Sequence, residues 1–151
     1  MSEAYFSYLD LGVVVVANLF NLTMIMIFLS RPFGMKEMER QLGWFSIGLG
    51  VLAGGAALVN LLSAREWWAW VLPALLAIFE FFEWSLDYHL KIAFRQSRLL
   101  GPYLFLFYIA QWGLIGYAFI VKDAYGFITL VTYFASMAAT VYSYRKVGHG
   151  E

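Results

Sequence analysis

WWAWVLPALLAIFEFFEWSLDYHL, residues 67–90, is the stretch on which the fold turns. Its first half is as apolar as a membrane span. Its second half carries Glu80, Glu83 and Asp87 at i, i+3 and i+7. If it crosses, the chain is a five-span bundle; if it lies on a surface, four spans remain. A spanning helix needs about 20 mostly apolar residues. Four other stretches, 11–30, 41–64, 99–121 and 124–144, hold no Asp, Glu, Lys or Arg at all.

The basic residues favour five crossings. With five, and the N-terminus outside, Arg31, Lys36, Arg40, Lys91, Arg95, Arg98, Arg145 and Lys146 are cytoplasmic and only Arg65 and Lys122 external, 8 against 2. Without the 67–90 crossing the best split is 6 against 4. Lys and Arg gather on the cytoplasmic side of membrane proteins. The sequence therefore predicts an all-α, polytopic integral membrane bundle of five transmembrane helices, N-terminus outside and C-terminus cytoplasmic. The spans fall near 8–30, 43–63, 67–90, 102–121 and 125–144, in a single transmembrane domain over 1–151. No basic residue precedes the first apolar run and no small-residue cleavage pattern follows it, so that run reads as a span rather than a leader. The polar connection from Arg31 to Arg40, with Pro32 and Gly34, reads as a solvated loop with at most one helical turn. The expected location is the plasma or inner membrane of the cell.

Composition agrees. Of 151 residues, 62% are hydrophobic and 13% charged, with 14 Phe, 6 Trp and 10 Tyr. Ordinary soluble domains are about 45–50% apolar and about 25% charged. The net charge of +0 gives no basic surface for a nucleic acid. Zero cysteines exclude disulfides and thiolate metal sites. Two histidines, His89 in the third span and His149 in the tail, are too few for a metal cluster, and no cofactor is implied. Phosphate-loop, dinucleotide and hydrolase motifs are absent, so nothing marks the chain as an enzyme. Trp67, Trp68 and Trp70 at one end of the third span, and Trp44, Tyr142 and Tyr144 at the other end of the bundle, suit the headgroup region.

The informative residues are polar groups at mid-membrane depth. Asn18 and Asn21 share a face of the first helix, with Asp10 on roughly the same side nearer the outer surface. Glu80 falls near the bilayer centre. Glu83 and Asp87 follow about 5 and 10 Å nearer the cytoplasm at about 1.5 Å per residue, with Lys91 at i+4 to pair with Asp87. Gln111 sits mid-span in the fourth helix, and Thr132 and Ser136 belong to a hydroxyl stripe in the fifth. An acidic residue at the centre of a span costs about 2.5–3.5 kcal/mol on insertion scales. Glu80 and Glu83 are therefore expected to face the interior and meet these amides and hydroxyls. With no Lys or Arg expected at that depth, a proton or a bound cation has to balance them. Pro73 is expected to free a backbone carbonyl near Ala69.

Ser46, Gly50 and Gly54 give the second helix a smooth face, on which backbones approach closely. It packs either inside the chain or against a second copy. Two functions fit. One is a small membrane transporter or channel-like protein with an intramembrane acidic site (Glu80, Glu83, Asp87, Asn18, Asn21, Gln111, Thr132 and Ser136) for a proton, cation or small cationic solute. The other is a non-catalytic accessory, sensor or anchor subunit of a larger membrane complex. Both imply a homo-oligomer or a membrane-protein partner within the lipid bilayer.

Overall fold

A backbone in lipid finds no water to bond, so each apolar run satisfies its N–H and C=O groups within a helix. The computed structural model describes residues 3–148, which are helical throughout apart from short connections. His149 lies outside them. Five helices are long and apolar enough to cross a membrane. They are α1 (Glu3–Ser30), α2 (Lys36–Leu62), α3 (Trp67–Glu83), α4 (Leu100–Val121) and α5 (Asp123–Val147). Consecutive helices are neighbours and α5 returns to α1, which closes the five into a ring; α1 also meets α4 across it.

The helix ends differ from expectation in two places. The 31–40 connection is mostly helix: a 3-10 turn at Arg31–Phe33, a left-handed Gly34 (φ 66°), and then α2 from Lys36. Hydropathy does not see those polar first turns. Glu37 and Glu39 nonetheless suit them, because carboxylates favour the positive end of the helix dipole. The third span is regular only to Glu83; Trp84–His89 continues it as a π-helix, a form often found at functional sites.

Inside the ring Phe20, Phe79 and Phe107 meet edge-on or tilted, with centroids 5.2–6.3 Å apart. Together with Leu76 and Leu114 they form a packed layer across the bundle. The outside carries large bare side chains such as Val51, Phe105, Phe127 and Val131, as a lipid-facing surface does. The smooth face of α2 is used within the chain. A Cβ at Gly50 would collide with the β and γ carbons of Glu80, and one at Gly54 would press on Ala77 at 3.2 Å. Pro73 sits buried inside α3, and the carbonyl it frees, Ala69 O, accepts from the side-chain amide of Asn60 at 2.7 Å.

Candidate functional site

The stripe on α3 does not meet a single polar belt. Glu80 is 2% exposed and held in the seam with α2. Its Oε1 accepts a hydrogen bond from the Ser46 hydroxyl at 2.5 Å, and its stem lies over Gly50, so the small residues of α2 make room for the acid. Its Oε2 is buried without a hydrogen-bond partner. Sequence reasoning assigned Ser46 to packing alone; its contact with Glu80 depends on how α2 is rotated against α3, which spacing does not fix.

Glu83 and Asp87 are served by a cation that the depth estimate left out. The 3-10 turn Phe94–Gln96 folds back into the bundle, anchored by the fully buried Phe94 against Tyr103. It brings Arg95 to Asp87, at 2.7 and 3.3 Å, and to Glu83 at 3.5 Å. Lys91 does not take the expected place beside Asp87: the chain turns there (φ 50°) and leaves Lys91 exposed. Burial works against the Arg95 charge, but Asp87 and Glu83 outweigh it and hold its pKa above the ordinary arginine value. The Tyr103 hydroxyl also faces Glu83.

Ser46, Glu80, Glu83, Arg95 and Tyr103, but not Asp87, border a cavity of about 280 Å³ among all five helices. Glu80, Glu83 and Ser46 form one wall. Phe79, Tyr103, Phe107 and Tyr108 supply aromatic rings, and Arg31 and Arg95 stand at the end of the bundle. The same two arginines also line a second hollow at that end, beside Lys36 and Glu39. Arg31 is engaged by Glu39 at 2.7 Å. In the opposite direction the Phe20–Phe79–Phe107 layer closes it. On its outer side Glu80 also borders a groove between α2 and α3, with Trp44, Gly54 and Trp84.

The remaining predicted residues lie elsewhere. Asn18 and Asn21 join α1 to α5: the Asn18 amide donates to Thr129 Oγ1 at 3.0 Å, the Asn21 amide donates to Thr132 Oγ1 at 2.9 Å, and Thr132 donates to Asn18 Oδ1 at 2.9 Å. Gln111 is buried with its Nε2 unpartnered, away from the cavity lining. Ser136 bonds back to the Tyr133 carbonyl at 2.8 Å. The expected single belt is thus two seams and a mouth.

A further network went unread in the sequence. Asp10, fully buried, receives both Nη groups of Arg65 at 2.8 and 3.1 Å and the hydroxyl of Tyr117. Arg65 also donates to Asn60 Oδ1 at 2.9 Å. This ties α1, α2, the α2–α3 connection and α4 at the end away from the cavity. Burial opposes the Arg65 charge, and Asp10, with Tyr117, more than offsets it, so its pKa is raised. The available signal was that Asp10 and Arg65 fall at the same end of the predicted topology. His89 stacks on Trp84 at 5.3 Å. Among the described residues no three His, Cys, Asp or Glu side chains converge as a metal site. The chain matches no protein-family model, and no curated protein or solved structure matches it.

Proposed function

We propose that the chain is a small membrane transporter or channel-like protein that takes a proton, a cation or a small cationic solute at Glu80 and Glu83. The observation that carries this reading is Glu80: a carboxyl 2% exposed, with one oxygen unpartnered, on the wall of a cavity. A buried carboxylate without a counter-charge costs several kcal/mol, so Glu80 is balanced by a proton or a bound cation. Charge supports the sign of the ligand. Of the charged groups that line the cavity, Arg31 is engaged by Glu39 and Arg95 by Asp87 and Glu83, which leaves the Glu80 carboxyl without a basic partner. On the orientation that the Lys/Arg bias favours, the cavity faces the cytoplasm. Passage to the other side requires a second state in which the phenylalanine layer opens.

The closed far end, with its Asp10–Arg65 lock, favours a second reading: an accessory, sensor or anchor subunit that binds a ligand or partner without moving it. The two separate on autonomy. Purified protein in liposomes is expected to move protons or monovalent cations, and Glu80→Gln and Glu83→Gln are expected to abolish the flux. Wild-type liposomes no leakier than empty ones, with a second membrane protein copurifying, would replace transport with the subunit reading.

A further inference from the structure

We infer that the cavity takes a small organic cation, a nitrogen centre with N–H groups on an apolar body, rather than a bare metal ion or an anion. This rests on the reading that Glu80 and Glu83 form the binding site. The volume, about 280 Å³, lies just below the roughly 300–1,000 Å³ typical of small-molecule sites, which suits a small solute, and well above the space one ion needs. The walls are chiefly apolar and aromatic. Phe79, Tyr103, Phe107 and Tyr108 line the cavity, and aromatic rings attract a desolvated ammonium through their quadrupoles. Two carboxyls of α3 line it, and Glu80 Oε2 and Glu83 Oε2 are both buried acceptors without a hydrogen-bond partner, available to an N–H donor.

The alternatives fit less well. A divalent metal asks for several converging oxygen or nitrogen ligands, and among the described residues no such group exists. An anion would meet two unpartnered carboxyl oxygens, Glu80 Oε2 and Glu83 Oε2, while the two lining guanidinium groups are already engaged, Arg31 by Glu39 and Arg95 by Asp87. The groove between α2 and α3 adds a chemical hint. Glu80 is the acidic element of an otherwise apolar groove lined by Trp44, Phe81 and Trp84, so its surroundings are apolar on that side too.

The test uses the full chain in lipid nanodiscs and isothermal titration with three probes. These are 2-phenylethylammonium, its anionic counterpart 3-phenylpropionate, and sodium. The ammonium is expected to bind at least about tenfold more tightly than the carboxylate, as one unit of opposite charge at a buried carboxyl requires. Glu80→Gln keeps the size of the side chain and is expected to weaken it about thirtyfold or more. Tyr108→Leu removes one ring from the wall and is expected to weaken it about two- to fivefold. If Glu80→Gln fails to fold, the wild-type comparison of the two organic probes and Tyr108→Leu still decide. No binding of the ammonium, or equal binding of the carboxylate, overturns the inference. If sodium or proton flux in liposomes nevertheless requires Glu80, the site stands as an inorganic-ion site and only the inference falls. If nothing bound or moved requires Glu80, both fall.

Discussion

Two pairs of opposite charge show how burial sets the worth of an interaction. Asp10 is fully buried against Arg65, whose side chain is 10% exposed, whereas Arg40 and Glu37 are 66% and 63% exposed. Removing one partner of a buried pair leaves a charge uncompensated and costs about 3–5 kcal/mol; an exposed pair contributes about 0–1 kcal/mol. Asp10→Ala is therefore expected to lower the thermal unfolding midpoint in detergent markedly, and Glu37→Ala hardly at all. Equal midpoints would refute the lock. What was legible at this scale follows the same logic. Glu80 in an apolar run has to turn inward, and that is readable. Arg95 was not, because a loop residue reaches the membrane interior only if its turn folds back, and the buried Phe94 that makes it do so looks like any other phenylalanine.

At the level of elements, the α2–α3 seam joins packing to the site. A methyl at Gly50 would strike the Glu80 stem, while one at Gly48 meets nothing within 4 Å. Gly50→Ala is expected to destabilise by about 1–3 kcal/mol, as overpacking does, and to push the acid out of place. Gly48→Ala is expected to be neutral or slightly stabilising. Thermal unfolding of the two variants side by side checks this. The α1–α5 seam is held by hydrogen bonds that are each modest in a membrane. Asn18→Leu or Asn21→Leu is expected to cost about 0.6 kcal/mol and no more than about 1.7, measured the same way. Five helices were readable because each apolar run is long enough to span. The starting point of α2 and the π-helical end of α3 were not, since polar first turns and a change of hydrogen-bond register leave hydropathy unaltered.

Across the whole molecule the two ends are chemically different. One is locked by Asp10, Arg65, Asn60 and Tyr117; towards the other lies the cavity, lined by Arg31, Arg95, two carboxyls and aromatic rings. The proposed orientation puts the cavity end in the cytoplasm, and the cysteine-free chain makes this checkable. A membrane-impermeant maleimide added outside intact cells is expected to label Ser63→Cys and spare Ser97→Cys; the reverse pattern would invert the topology. The central claim is that Glu80 is a reachable acid whose charge is balanced by a proton or by a cation in the cavity. Membranes containing the protein are treated with a hydrophobic carbodiimide, which modifies protonated carboxyls in apolar surroundings, and the adduct is mapped by mass spectrometry. The prediction is modification of Glu80, slowed when 2-phenylethylammonium or another bound cation is present. An unmodified Glu80, or a rate indifferent to every cation offered, would contradict it.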